Sequence, residues 1–224
     1  MKASGVATDW REIDRYDGGA GWIAYPDEAM QRASHAFDAD GDAWLVDPVD
    51  AEGIDEFLAD LGEVAGVVIL LDRHKRDSAA LATRHDVSVW IPSFMDDVAE
   101  DVAAPIERFR HDLGDTGFAA HEVVDNRLWQ EALLYDEDGG TLIVPEAVGT
   151  TEYFRTGTNR LGVNPALRLT PPSKLKRLSP ERLLVSHGEG IHDGATEALH
   201  DAVDGARGRT PALYWKNLKM MLPG

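Results

Sequence analysis

Short apolar runs, broken by turn signals, occupy the first part of the chain. Aromatic and β-branched residues cluster in GAGWIAY (19–25) and in SHAFDADGDAWLVDPV (34–49), and the second run contains the turn signal Asp40-Gly41. Such runs are typical of antiparallel strands joined by a tight turn. Over residues 54–61 the apolar positions change to helical spacing, and Gly62 follows as a C-terminal cap. We therefore predict early strands followed by a helix.

Residues 64–92 are predicted to form a β-α-β unit. VAGVVILLD (64–72) is short and almost wholly apolar, which is typical of a strand buried on both faces. SAALATRHD (78–86) has a helical composition, and VSVWIP (87–92) resembles a further strand. Such a unit implies parallel pairing of its two strands and a right-handed crossover.

The middle of the chain is predicted to contain a helix, a hairpin and a long connection. Residues 96–113 look helical, with Pro105 allowed only at a break or in a first turn. An Asp-Gly-Gly turn at 138–140 lies between two strand-like runs and predicts a hairpin. Residues 150–180 hold several Gly and Pro with little periodicity, which predicts an irregular segment, and loops of this length are often functional covers.

The last part of the chain is predicted to be a strand followed by helices. Residues 183–188 read LLVSHG, a strand-like run, and Asp193 is placed to cap a helix that continues through Val203. An amphipathic segment, LYWKNLKMML (213–222), follows. The element order predicts an α/β (α+β) protein, in which helices cover the outer faces of mixed sheets, built as a single domain over residues 1–224.

The composition is strongly acidic. The formal charge is −18 with a pI of about 4.7, and Asp outnumbers Glu by 25 to 15 while Arg outnumbers Lys by 16 to 6. At molar salt the Debye length is only ~3 Å, so an acidic surface is screened and stays hydrated. We therefore expect a halophilic source, a halophilic archaeon. A basic partner would explain the charge but not the scarcity of lysine.

Several classes of function are disfavoured by composition. Nucleic acid is an unexpected partner because the chain has no basic footprint. The chain has no Cys, so any metal has to be held by His and carboxylates. No apolar run approaches the ~20 residues of a membrane span, and the N-terminus lacks an apolar signal core, so we expect a cytoplasmic protein without membrane contact.

Polar clusters follow three apolar runs, which suggests a site. The clusters are residues 72–77 after VVILL, Glu146 after TLIV, and residues 186–188 (Ser-His-Gly) after LLV. Strand ends of open sheets converge on ligands. Motifs of P-loop, dinucleotide-binding, α/β-hydrolase and H-E-x-x-H proteins are absent from the sequence.

From about Trp44 onward the chain resembles the metallo-β-lactamase fold family. AWLVDP resembles the early strand ending in Asp, and residues 54–81 resemble the helix, strand, metal loop and helix of the family. TLIVPEAVG resembles the strand that ends in a Gly-Asp pair, and LLVSHGEG resembles the late strand with a histidine. This resemblance implies a four-layer αββα sandwich with a site for one or two metal ions at the edge of its two sheets.

The resemblance also places the site residues. The H-x-H-x-D-H loop of the family falls on residues 72–77, so that only its second histidine is kept, as His74, and its acidic ligand becomes Arg76. The bridging aspartate falls on Glu146 and the last histidine on His187. The middle histidine of the family is expected near 126–127, where this chain has Asn and Arg.

These departures lead to a hypothesis of a degenerate metal site. The Arg76 guanidinium is expected to point inward and to bridge Glu146 and either Asp72 or Asp77, replacing the charge of the metal. The expected function is then a non-hydrolytic binding or structural homologue, with no metal or cofactor. The candidate residues of this remnant site are Asp72, His74, Arg76, Asp77, Glu146 and His187.

The alternative is a metal-dependent hydrolase with an altered ligand set. Zinc or another divalent metal would be held by His74, Glu146 and His187, with Asp72 or Asp77 as a fourth ligand. Simpler interpretations remain for single residues. Asp72 or Asp77 caps the following helix, Glu146 forms an ion pair, or the nearby His192 contacts a ligand instead. A small molecule is the expected partner, and a homodimer through the C-terminal helix is a further possibility.

Overall fold

The computed structural model describes residues 5–221, and its larger sheet has seven strands. They lie side by side in chain order: β1 (Trp10–Tyr16), β2 (Gly19–Ala24), β3 (Arg32–Ala39), β4 (Asp42–Val46), β5 (Glu63–Val68), β6 (Val89–Pro92) and β7 (Ile106–Phe109). Strands β1 to β4 pair antiparallel, and β4 to β7 pair parallel. The predicted turn at Asp40-Gly41 is confirmed, since Ala39 pairs with Asp42 there.

The second sheet has four strands in the order β13-β10-β9-β8. Its strands are β8 (Ala119–Asn126), β9 (Trp129–Asp136), β10 (Thr141–Val144) and β13 (Arg182–Val185). The hairpin predicted at 138–140 joins β9 to β10 in antiparallel pairing, while β10 and β13 run parallel. A separate two-stranded ribbon pairs β11 (Val148–Gly149) with β12 (Gly162–Val163), and β12 lies inside the segment 150–180 predicted to be irregular.

Helices cover the outer faces of both sheets. Helix α1 spans Ile54–Leu58, α2 spans Ser78–His85, α3 spans Asp96–Glu100 and α4 spans Ala195–Met221, with 3-10 turns at Pro165–Leu167 and Ser173–Arg177. Helix α2 packs against β5 and β6, whereas α4 packs against β12 and β13. The layers are therefore helix, sheet, sheet and helix, as predicted.

Two buried cores hold these layers together, and the alternation of side chains along β10 assigns residues to each. Ile143 joins the cluster that includes Trp22 and Leu45 of the larger sheet, while its neighbours Leu142 and Val144 join the cluster beneath α4. Successive side chains of a strand point to opposite faces, so a strand that is buried on both faces is apolar throughout. This explains the unbroken apolar run TLIV.

The β-α-β unit predicted for residues 64–92 is confirmed, since β5 and β6 pair parallel around α2. The helix predicted over 96–113 is wrong beyond Glu100. Strand β7 follows instead, and its preceding residue, Pro105, accepts a hydrogen bond from the amide of Val89 on β6 at 2.8 Å. Pairing with β6 outweighs the helical composition of this segment because Pro105 interrupts any helix there.

The two helical segments predicted near the C-terminus form one helix, α4, although the last residue of the predicted segment lies outside the described residues. Leu213 is buried, and the Tyr214 hydroxyl donates to the Pro165 carbonyl at 3.1 Å, so this part packs on the protein as expected. Trp215 and Leu218 remain exposed. None of the helices within the described residues has the length and apolar character needed to cross a membrane.

Candidate metal centre

Polar residues that follow β5, β10 and β13 line one pocket, and Asp47, which follows β4, is buried behind His74. Because β4 pairs parallel with β5, and β10 with β13, their carboxyl ends lie at common edges of the two sheets. The pocket has a volume of about 980 Å³, and its lining includes Arg73, His74, Arg76, Glu146 and His187. The convergence expected at these strand ends is therefore present.

Three of these residues bring their donor atoms together. One ligand atom from each of His74, Glu146 and His187 lies within 4.8 Å of the others, and among the residues that the structure describes they are the group of this kind that could hold a metal ion. His74 Nε2 is 3.9 Å from Glu146 Oε2, and His187 Nε2 is 3.9 Å from Glu146 Oε1. The carboxylate thus lies between the two imidazoles.

The outer nitrogens of both imidazoles are held by protein acceptors. His74 Nδ1 lies 3.0 Å from Asp47 Oδ2, and His187 Nδ1 lies 3.0 Å from the Met30 carbonyl oxygen. A carbonyl or carboxylate only accepts, so each Nδ1 donates and each Nε2 keeps a free lone pair when the ring is neutral. His187 Nε2 is buried without a hydrogen-bond partner. Both rings therefore present a lone pair to Glu146.

Burial keeps both histidines neutral at neutral pH. It lowers the pKa of His74 well below its usual value and that of His187 to about 4, and the positive charge of Arg76 lowers both further. For Glu146, burial alone would raise the pKa, yet attraction to protonated His74 and His187 and to Arg73 lowers it. Since the histidines are neutral near pH 7, the cations that act on Glu146 there are Arg73, which is hydrogen-bonded to it, and the nearby Arg76.

Arg73 holds the Glu146 carboxylate from the open side of the pocket. Its Nε donates to Glu146 Oε2 at 2.9 Å, and its Nη1 is 3.4 Å from Asp72 Oδ1. The guanidinium carbon lies 4.1 Å from the ring centroid of Trp129, close enough for a cation–π contact. The side chain is 41 % exposed, so Arg73 can reach both Glu146 and the pocket.

Arg76 is partly buried and bonds to the backbone instead of to carboxylates. Its Nη1 donates to the carbonyl oxygens of Ala33 at 2.5 Å and Asp47 at 2.6 Å, and its Nη2 donates to that of Ser186 at 3.3 Å. Burial lowers its pKa to about 10, so the guanidinium stays charged. Its backbone φ of 41° lies in the left-handed region that non-glycine residues rarely adopt.

The predicted role of Arg76 as a bridge between carboxylates is therefore wrong. Arg76 does point inward, but three backbone carbonyls orient its guanidinium. The bridge from Glu146 to Asp72 is made by Arg73, three residues earlier. Arg73 thus makes the carboxylate bridge expected of Arg76, whose guanidinium is bonded to carbonyls of three separate segments.

Solved structures share this architecture with the chain. The DIM-1 metallo-β-lactamase matches with a TM-score of 0.64 at 11 % identity, covering 91 % of this chain and 100 % of that one. The metallo-β-lactamase FIM-1 from Pseudomonas aeruginosa in its mono-zinc form matches with a TM-score of 0.60 at 11 % identity, covering 92 % and 99 %. The chain has the metallo-β-lactamase fold.

A third match lies outside the lactamases. The Flv1 flavodiiron core from Synechocystis sp. PCC6803 has a TM-score of 0.64 at 15 % identity, covering 92 % of this chain and 62 % of that one. No family model and no curated protein sequence matches the chain. At identities this low the likeness shows the fold alone, so the chemistry of this metallo-β-lactamase fold has to be argued from its own residues.

The two aspartates proposed as further ligands are turned to other partners. Asp72 Oδ2 accepts from the amide of Gln130 at 2.9 Å, and Asp77 Oδ2 accepts from the amide of Asp50 at 2.9 Å. Neither belongs to the three-residue donor group. Asp77 occupies the N-cap position of α2 but makes no side-chain capping bond there within the described structure, so its predicted capping role is wrong as well.

His192 lies apart from the donor group. Its Nε2 is 3.1 Å from Asp14 Oδ1, and its side chain is 36 % exposed. The interpretation that His192 contacts the ligand in place of His187 has no support from this geometry.

Two carboxylates at the centre were missed from the sequence. Asp47 is fully buried, its Oδ1 accepts from the Leu70 amide at 2.9 Å, and burial raises its pKa to about 6. Its position at the end of AWLVDP was the available signal. Glu131 is also fully buried and accepts from the amides of Glu146 and Ala147, both at 2.8 Å. Its other oxygen accepts from Trp129 Nε1 at 2.8 Å, but the two amides that tie Glu131 to the centre lie 15 and 16 residues away in the sequence.

Proposed function

We propose that this chain binds one divalent metal ion, zinc or a similar ion, on His74, Glu146 and His187 and acts as a metal-dependent hydrolase with an altered ligand set. The observation that carries the proposal is the pair of Nε2 lone pairs aimed at one carboxylate, with each Nδ1 held by a protein acceptor. Histidines of metal centres are oriented in this way by carboxylates and backbone carbonyls.

The distance from each histidine to Glu146 is short enough for the two residues to share a single ion. Two ligands that each lie 2.0–2.2 Å from one zinc are at most roughly 4.4 Å apart. The two Nε2-to-oxygen distances of 3.9 Å fall within this limit, and the buried, unpartnered His187 Nε2 is a polar atom that an ion would satisfy. Two imidazoles and a carboxylate are also a ligand set that zinc uses.

The location supports catalysis over a purely structural ion. Catalytic zinc centres have three protein ligands and an open position, whereas structural centres are closed by four. Here three donors lie at the floor of a pocket of about 980 Å³. A bound ion would polarise a carbonyl or phosphoryl group and lower the pKa of water. The substrate class cannot be taken from the fold, because proteins of one fold catalyse unrelated reactions.

The protein residues around the donors have positioning roles in this proposal. Asp47 fixes the proton of His74 on Nδ1, and the Met30 carbonyl does the same for His187. Glu131 accepts hydrogen bonds from the backbone amides of Glu146 and Ala147 and so positions the backbone that bears the Glu146 side chain. Arg73 fixes one oxygen of Glu146 from the side of the pocket.

A non-hydrolytic binding protein is the second candidate, and a specific observation favours it. Arg76 stands at the loop position where the resemblance placed an acidic ligand that also transfers protons, and its guanidinium is committed to backbone carbonyls. Among the described residues, Glu146 is the carboxylate that approaches the two Nε2 atoms. A metal site without a separate proton acceptor suits binding better than hydrolysis.

Metal analysis and activity assays together test both candidates. Protein purified without chelators, at low and at molar KCl, is analysed for metal by mass spectrometry and titrated with zinc after dialysis. We expect one zinc per chain in the wild type and in His192→Ala, and little in His187→Ala. Less than a tenth of an equivalent in the wild type contradicts both metal-dependent functions.

Hydrolysis is then measured on a phosphodiester, a thioester and a lactone, with and without zinc. Zinc-dependent turnover that is lost in His187→Ala but kept in His192→Ala supports the hydrolase. Stoichiometric zinc binding with no turnover of any of the three supports the binding protein.

A further inference from the structure

One oxygen of Glu146 is shared between Arg73 and the metal-binding cluster. Glu146 Oε2 accepts from Arg73 Nε at 2.9 Å and is the oxygen that lies 3.9 Å from His74 Nε2. The other oxygen, Oε1, lies toward His187 Nε2 at 3.9 Å and Asn164 Nδ2 at 3.5 Å. An ion held by all three donors would therefore meet a guanidinium on the same carboxylate.

Arg73 and a divalent ion oppose each other by charge as well as by position. Two cations that share one carboxylate repel, and the repulsion is stronger in a partly buried pocket than in water. The Glu146 side chain is only 15 % exposed, so solvent screens this repulsion weakly. Arg76 is also close to the donors, but hydrogen bonds to three carbonyls hold its guanidinium in place. The Arg73 side chain is 41 % exposed and is therefore freer to move.

Glu146 is not the only contact of the Arg73 side chain. Its guanidinium also lies over the Trp129 ring and approaches Asp72, and these two contacts do not depend on the bond to Glu146. A guanidinium so placed at the wall of the pocket pairs with carboxylate or phosphate groups, with which its planar donors form two parallel hydrogen bonds. Release from Glu146 therefore makes an anion-binding group available to a ligand.

We propose that Arg73 alternates between Glu146 and an anionic group of the pocket ligand, a carboxylate or a phosphate monoester, so that metal and ligand bind with positive cooperativity. This proposal rests on the proposed metal site. Without ligand, Arg73 holds Glu146 and weakens metal binding. An anion draws the guanidinium away and leaves the carboxylate to the ion, and by linkage the metal strengthens anion binding by the same factor.

The first experiment measures zinc affinity by competition with a chromogenic chelator in the wild type, Arg73→Gln and Arg73→Lys. Arg11→Gln is the matched control, because Arg11 is also 41 % exposed and also pairs with a glutamate, Glu189, at 2.6 Å. We expect zinc to bind at least 10-fold more tightly to Arg73→Gln than to the wild type, and Arg11→Gln to match the wild type. Lysine keeps the charge, so Arg73→Lys should lie near the wild type.

An unchanged or weaker zinc affinity in Arg73→Gln overturns the proposal. A weaker affinity would mean that Arg73 orients Glu146 for the metal instead of competing with it. Absence of zinc binding in the wild type and in all variants is a different result, because it removes the proposed metal function itself.

The second experiment repeats the titrations with phenyl phosphate or benzoate at millimolar concentration, with chloride as the ionic-strength control. The chelator sets the concentration of free zinc, so the measured affinity of the protein is not altered by any zinc that the anion binds in solution. We expect each effective anion to tighten zinc binding to the wild type at least 5-fold and to have less than half that effect on Arg73→Gln. Equal effects on the two proteins overturn the coupling, and the stronger probe assigns the ligand to carboxylates or to phosphates.

Discussion

Arg73 and Arg76 lie three residues apart in one loop, yet they belong to different parts of the molecule. Arg73 is half-exposed and holds a carboxylate of the candidate metal centre. Arg76 is less exposed, and its guanidinium donates to carbonyl oxygens in β3 and just after β4 and β13. An arginine thus contacts a candidate metal ligand at one position and connects the two sheets at the other. The difference in exposure accompanies this difference in role.

Four predictions test whether metal binding and fold stability depend on different residues. The donor side of the pocket comprises His74, Glu146 and His187 with Asp47 and Arg73, and the Arg76 side comprises Arg76 and its three carbonyl partners. Changes on the donor side should alter zinc binding. Changes at Arg76 should alter the free energy of unfolding of the metal-free protein.

The largest expected effect is on the donor side. Replacing His187 by Ala removes one of three metal ligands, and we expect zinc affinity to fall by more than ~100-fold, the upper end of what changes to residues behind the ligands cost. His192→Ala is the control and should bind zinc as the wild type does, because its imidazole contacts Asp14 instead. Chelator competition measures both. Equal affinities of the two variants would rule out His187 as a ligand.

The next effect concerns Arg76. Arg76→Ala leaves three carbonyls without this donor, and unmade hydrogen bonds of buried groups cost roughly 1–3 kcal/mol, so we expect a loss of about 3 kcal/mol in unfolding free energy. Arg76→Gly is the matched variant, since glycine adopts the φ of 41° freely. Relief of the left-handed backbone is worth roughly 1–2 kcal/mol and the extra entropy cost of glycine roughly 0.5–1 kcal/mol, so this variant should recover about 0.5–1 kcal/mol relative to Ala. Urea unfolding at constant salt, with a chelator present, measures both.

A result in which Arg76→Gly is as stable as the wild type would contradict the structural role of the guanidinium. It would mean that backbone strain at this position outweighs the three hydrogen bonds. The zinc affinity of Arg76→Ala would then show whether Arg76 acts on the donor side through its charge, because that charge lowers the pKa of both histidines.

Asp47 should show an intermediate effect on the donor side. In Asp47→Asn the amide oxygen still accepts from Leu70, but the NH₂ group then faces His74 Nδ1 and moves the ring proton to Nε2. We expect zinc affinity to fall roughly 10- to 100-fold, as for other residues that orient metal-binding histidines. Asp77→Asn is the control from the same edge and should retain the wild-type affinity. If Asp47→Asn also retains it, the proton of His74 is not fixed by Asp47.

The smallest effect is the stability change in Arg73→Ala. Its ion pair with Glu146 and its contact with Trp129 are partly solvated, and such contacts contribute up to about 1 kcal/mol each. Relief of the guanidinium's desolvation offsets part of this, so we expect unfolding free energy to fall by less than about 1 kcal/mol. A loss that equals that of Arg76→Ala, measured by the same urea titration, would remove the distinction between the two arginines.

Much of the fold could be predicted from the pattern of apolar residues. Strand β10 is apolar from Leu142 to Val144 because it is covered on both faces. The polar residues that begin at Asp72 follow β5 after three further apolar residues, near the edge of the sheet. The helix predicted through residue 113 ends at Glu100, and after Pro105 the chain forms β7, which pairs with β6. Composition reports local preference, and that pairing depends on residues distant in the sequence.

The sequence by itself determined which residues could form the centre. The order of strands placed His74, Glu146 and His187 at strand ends, and the lack of Cys limited the ligands to imidazoles and carboxylates. Their convergence follows from parallel strands sharing an edge.

Only the tertiary structure decided how the charged residues are used. Arg76 turns to carbonyls that lie 43, 29 and 110 residues away, which leaves Glu146 to Arg73. Asp47 and Glu131 become part of the centre because the folded chain buries them next to hydrogen-bond donors that are distant in sequence. Asp47 contacts His74, 27 residues away, and Glu131 contacts the amide of Glu146, 15 residues away. The direction of a long side chain in a loop depends on which partners the folded sheets bring within 3 Å of it, and no local pattern encodes those partners.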